Sequence, residues 1–299
     1  MAGETRLNIN NLRTTMQIIK QTTATFNTNF FTLILLALLL FTFRTLIENG
    51  TRNLTRDASL DSFFSRLDLA DRNYRRLHPL RPTFDRDDPF TGKDNADSFS
   101  LFTLPSNGIV FVVVANDLLG RHDSCISEVV WVGAKVGVKK LTWFFCLRWA
   151  VRNAESHGIG LLFVPRIYDR YMPMYFLLWW ALDEVVALVM ALDCWITIDS
   201  SRRTGFEIMR EGYDLISRMW HQAVLIKCYE HVIVEGTAAR YHLSRVLGEG
   251  SASIFQLIFA VYFTVAWVIV YLVTRCKEAD SGGRRLGRKE LEGLIDGLK

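Results

Sequence analysis

The sequence predicts a mainly α fold, specifically a multi-pass helical membrane protein with about four transmembrane helices and amphipathic connecting helices. Three observations predict it. Half of the 299 residues are hydrophobic, and they gather into long blocks instead of recurring at strand period. Two of these blocks run uninterrupted over a spanning length, and arginines and lysines cluster in the segments beside them.

Residues 1–28 read as a cytosolic N-terminal segment leading into the first block. No charge occurs between Lys20 and Arg44, and FFTLILLALLLFTF from Phe30 to Phe43 is almost wholly apolar, so 29–47 is expected to span, with Arg44 closing the apolar run. About 28 residues precede that run and no small-x-small cleavage site follows it, so an uncleaved anchor is preferred to a signal peptide. Residues 48–97 read as a polar, partly disordered loop. The stretch 98–116 is uncharged over a spanning length, but it holds Pro105, Asn107 and Gly108 ahead of the β-branched run IVFVVVA. It is expected as the second transmembrane helix, with a buried strand at Ile109 to Ala115 as the competing reading.

Residues 117–173 form a basic interfacial loop, within which Val129–Val151 suits an interfacial or loop helix, because Lys135, Lys139, Lys140 and Arg148 are too many cations for a central lipid-facing span. A third transmembrane helix is placed at 174–196, with Asp183 and Glu184 near its centre. Each central acid costs about 2.5–3.5 kcal/mol, so this helix needs partner helices to insert. Residues 197–252 form an amphipathic helical loop in which Ile208, Leu215, Ile216 and Met219 make an apolar stripe. The last span, 253–274, carries one strongly polar residue, Gln256; Tyr262, Trp267 and Tyr271 are its candidate positioning aromatics. Residues 275–299 are a basic tail and by the positive-inside rule cytosolic, although the arginines of the first loop weaken that rule here.

The net charge of +4 is mild and no single basic stripe dominates, which argues against nucleic acid as a partner. The five cysteines contain no C-x-x-C pair, so neither a zinc module nor a dense disulfide scaffold is expected. Cys276, beside the last span, is a candidate palmitoylation site. Asn49 and Asn53 head formal glycosylation sequons close to the end of the first span, where modification is expected to be inefficient. Arg202 and Arg203 are candidate contacts for lipid headgroups. The aspartates between Asp85 and Asp97 fail the calcium-loop pattern, since Pro89 and Ser98 fall where ligands are required.

No nucleophile elbow, Walker loop, H-E-x-x-H helix or dinucleotide fingerprint occurs, and LGEGSAS at 247–253 lacks the rest of a kinase. No catalytic residue and no cofactor is assigned, and His221, Cys228 and His231 lack the spacing and fourth ligand of a metal site. Asp183, Glu184 and Gln256 are instead the candidate intramembrane polar site, because carboxylates in a bilayer are costly and usually face a bundle interior or a water-filled cavity.

The stretches IVFVVVANDLLG at 109–120, LRWAVRNA at 147–154 and DSSRRTGFEIMREGYDLI at 199–216 resemble a plant family of multi-pass membrane proteins with no established activity. The resemblance implies several spans and carries no functional residue with it. The expected role is a non-enzymatic scaffold, adaptor or trafficking factor of the endoplasmic reticulum or another endomembrane. Its expected partners are membrane lipids, other membrane proteins or a cytosolic partner of the basic tail. The alternatives are a small transporter or channel subunit using Asp183 and Glu184, and a membrane-bound lipid-modifying enzyme.

Overall fold

A computed structural model describes residues 14–57, 91–121, 126–163, 172–199 and 205–281. Among these every regular element is helical and none is a strand. The helices are α1 (Thr15–Thr28), α2 (Phe30–Asp57), α3 (Thr91–Leu119), α4 (Ile126–Phe163), α5 (Met172–Val189), α6 (Asp193–Asp199), α7 (Gly205–Ser217) and α8 (Trp220–Glu230). A π-helical turn at His231–Glu235 follows, then α9 (Thr237–Leu247) and α10 (Glu249–Ser281). The chain divides into two compact units, one of residues 1–38 with 104–299 and the other of residues 39–103.

In the larger unit α10 is the central element, with α1, α7, α8, the π turn and α9 packed against it. Its residues from Val265 to Thr274 are all buried. Gly250–Glu278 covers 29 residues, or about 44 Å at 1.5 Å per residue, and is the one described helix that is by itself long and apolar enough to cross a bilayer. Its aromatics are tied to neighbouring side chains. The Trp267 indole donates to Glu230 Oε2 at 3.0 Å, the Tyr262 hydroxyl lies 3.0 Å from Thr23 Oγ1, and Arg275 Nε donates to the Tyr271 hydroxyl at 3.1 Å.

The first apolar block is two helices. A capping box between Thr14 and Gln17 starts α1, and Asn29 ends it by donating both its backbone and side-chain N–H groups to Thr25 O. The axis turns at this residue, and α1 meets Phe30–Leu46 at 87°. The bent pair has the length and apolarity of a span only when taken together. Helix α2 also continues past Arg44 through Asn49 and Asn53 to Asp57, in place of the loop expected from residue 48.

The stretch 98–116 is helical, not a strand. It lies in α3, a helix of 29 residues whose described apolar part is Leu104–Leu119. From Gly108 to Leu119 every residue is buried, so the β-branched run serves as a helix enclosed on all sides. Phe111 stacks on Trp195 with ring centroids 6.0 Å apart. The backbones of α3 and α4 are in direct contact: a Cβ on Gly133 would lie 2.5 Å from Ile109 Cα, and one on Gly137 would strike Leu104 O. The sequence Gly133-Ala-Lys-Val-Gly137 is the small-x-x-x-small pattern that lets helices approach closely. The surrounding lysines, which suggested an interfacial or loop helix, concealed it; α4 is a longer helix of 38 residues, with Leu141 and Phe144 buried and Lys140 Nζ donating to Ile198 O at 2.6 Å.

The block 174–196 is likewise not one helix. It ends as α5 at Val189, turns through Met190–Leu192, and resumes as α6 at Asp193. The expected stripe of Ile208, Leu215, Ile216 and Met219 is buried against neighbouring helices.

Candidate functional site

Two of the three residues singled out as an intramembrane polar site, Glu184 and Gln256, reach the π turn from different sides. From α5, Glu184 Oε1 accepts from His231 Nδ1 at 3.0 Å, with both side chains about a quarter exposed. From α10, Gln256 Nε2 donates to Val234 O at 3.2 Å, a carbonyl of the same turn. A π turn opens the regular ladder, and such turns are frequent at functional sites. Next to it, Glu230 Oε2 accepts from Trp267 and lies 3.4 Å from Lys227 Nζ. Asp183, half-buried, precedes Glu184 and on a helix diverges from it by about 100°. Glu184 and Gln256 thus share a turn without touching each other. A carboxylate paired with an imidazole can hold a proton between them. Among the described residues no group of three His, Cys, Asp or Glu side chains is placed to hold a metal.

Because the Glu184–His231 pair is partly solvated, a double-mutant cycle with Glu184→Gln and His231→Gln should return a coupling of about 1 kcal/mol in unfolding free energy. A coupling near zero would make the contact incidental.

Other sequence candidates lie elsewhere. Arg202 and Arg203 fall outside the described residues. Asn49 and Asn53 are on α2. Cys276 is buried at 6% exposure on the inner face of α10. Arg275, counted above as part of the basic tail, is folded in. It pairs with Glu211 of α7 and, at 3.0 Å, with Glu278, which Arg218 approaches to 3.7 Å.

Two polar features were missed from sequence. Asp193, at the start of α6, is fully buried against Gly212 of α7, and neither of its carboxylate oxygens accepts a hydrogen bond. Helix α6, about 10 Å long, is not a membrane span. Burial lifts the Asp193 carboxyl from 3.8 to about 7, partly opposed by the charge of Arg148. The neighbouring Cys194 thiol is pushed up to about 12, first of all by burial, which leaves it unreactive. Nothing in the apolar run MALDCWI distinguishes a buried acid from a hydrated one.

The second is a cleft of about 270 Å³ at the α1–α2 bend. Asn29, Thr32, Asn116, Asp117 and Arg121 supply its polar wall, and Phe31, Val113 and Val129 its apolar one. The end of α3 is shaped there by Gly120, which has φ +71°. That left-handed residue lets Arg121 N–H donate to Asn116 O at 2.9 Å and Gly120 N–H to Asp117 O at 3.0 Å, a Schellman closure. The signal readable in sequence was Asn-Asp-Leu-Leu-Gly-Arg, a helix stop with both charges beside it.

These features define a mainly helical protein whose described residues are built around one long apolar helix. The model of a family of unknown function (DUF7813) matches residues 11–92, 98–176 and 172–295, and the chain belongs to that family. No curated protein and no solved structure matches it.

Proposed function

We propose that the chain is an integral membrane protein of a plant endomembrane, such as the endoplasmic reticulum, and works there as a non-enzymatic scaffold, adaptor or trafficking factor. One observation supports this reading above others: large apolar side chains stand exposed on the surfaces of α2 and α5, and a few polar ones are buried. Phe31 and Leu35 on α2 are 84% and 59% exposed, and Leu177, Leu182 and Val185 line the open side of α5. Thr22, Thr25, Asp193, Gln256 and Thr274 are buried. In water such outward faces mark a surface awaiting a partner, whereas in a bilayer lipid covers them without cost. Helix α10 then crosses the membrane, the bent α1–α2 pair enters it, and the basic residues after Ser281 remain cytosolic to meet a partner protein.

The test is extraction of membranes carrying the full chain with carbonate at high pH. Retention in the pellet until detergent is added is the expected result, and release into the supernatant would refute membrane integration. A transporter or channel subunit is the second reading, supported by the Glu184–His231 pair beside Asp183. Ion or solute flux unchanged after neutralising both acids would remove it.

A further inference from the structure

We propose that the cleft at the α1–α2 bend is a binding site for a small zwitterion, a molecule in which an ammonium group and an oxyanion flank a short apolar body. Four helix ends converge on the cleft. The C-termini of α1 and α3 reach it at Asn29 and Asp117, and the N-terminal turns of α2 and α4 reach it at Phe31 and Val129. Helix C-termini carry partial negative charge and N-termini partial positive charge, so the backbone alone presents both signs to a single cavity.

The side chains repeat that pattern. Asp117, only 4% exposed, and Arg121 both line the cleft, placing a carboxylate and a guanidinium in its wall. Asn29 and Asn116 add carboxamides, which can donate or accept. The opposite wall, with Phe31 and Val113, suits an apolar body, and a volume of about 270 Å³ falls just below the range of about 300–1,000 Å³ usual for small-molecule pockets. A discontinuous helix pair lining a polar cavity is also the arrangement by which membrane proteins hold polar solutes away from lipid. The inference does not depend on the scaffold reading, because the cleft lies within one compact unit of the fold.

Two sources share this chemistry: a free amino acid and the phosphoethanolamine headgroup of a lipid. The full chain, purified in dodecylmaltoside, is to be tested by equilibrium dialysis with radiolabelled L-leucine and, separately, with O-phosphoethanolamine. The expected result is saturable binding of at least one probe, with the preferred probe distinguishing amino acid from headgroup. Asp117→Asn and Arg121→Gln should each weaken that binding about tenfold or more, while Asp214→Asn on the exposed face of α7 leaves it unchanged. Because Asp117 is buried, its replacement risks unfolding; Thr32→Phe fills the cleft from half-buried α2 and provides an independent block. No saturation of either probe by about 10 mM would overturn the site, that being weaker than even millimolar recognition. Binding that survives Thr32→Phe and Arg121→Gln unchanged would also overturn it.

Discussion

Replacing Gly137 by leucine is expected to leave no stably folded protein, and Gly133→Leu should do the same. At both positions a side chain would run into the backbone of α3, at Leu104 O and Pro105 Cα for Gly137 and at Ile109 Cα for Gly133. Backbone cannot rotate aside as a flexible side chain can, so even alanine forces α3 and α4 apart. That separation opens the contacts of a helix buried on every side. Overpacking of a core commonly costs about 1–3 kcal/mol, and here the enclosed α3 must separate from α4 along their contact, so a loss above about 3 kcal/mol is expected for alanine and more for leucine. Since whole domains are stable by only about 5–15 kcal/mol, the leucine variants should aggregate. Detergent-solubilised protein followed by size-exclusion chromatography and thermal melting measures this. A monodisperse Gly137→Leu variant melting within a few degrees of the parent would show that the close approach of α3 and α4 is not needed.

Asp193→Asn should move stability in the other direction, with a pH dependence that identifies its cause. The folded carboxyl titrates at about 7 and the ordinary one at 3.8, so the folded chain binds this proton more tightly than the unfolded chain does. Stability from this group is therefore fully present below about pH 4 and declines as pH rises toward 7. Above 7 the whole desolvation cost of the charged form is incurred. The interval between the two values corresponds to about 4 kcal/mol at most. Asparagine has nearly the same shape and no charge, so at pH 8 it should stabilise the protein by up to that amount, and near pH 4 the two chains should unfold alike. Denaturant unfolding at the two pH values decides the matter. An asparagine variant less stable at pH 8 would mean that the Asp193 charge is used, with Arg148 as its partner in the fold.

Other features became legible only in part. Asp183 and Glu184 stand out in sequence because acids are rare in apolar blocks, but their chemistry depends on partners far along the chain. His231 follows Glu184 by 47 positions, and only the packing of α5 beside the π turn brings the two within 3.0 Å. The cleft residues show the same limit. Asn29 and Asp117 are unremarkable separately, one at a kink and the other near a helix stop, and they share a cavity only through tertiary packing.

What the sequence determined by itself was local: a mainly helical chain, a last apolar helix of bilayer length, the apolar stripe of α7, and the absence of familiar catalytic motifs. Apolar periodicity and run length carry that information because each reports the environment of one segment. Tertiary structure alone decided where apolar blocks break, as at Asn29 and at Met190–Leu192, and which glycines are contact points. It also decided which aromatics and arginines turn inward, as Trp267 and Arg275 do toward Glu230 and Glu211. The physical reason is that hydropathy records how well a side chain tolerates an apolar environment, but not whether lipid or another helix provides it. A helix enclosed by protein and one enclosed by lipid therefore read alike, and only the side chains packed around Leu104–Leu119 show that protein encloses it.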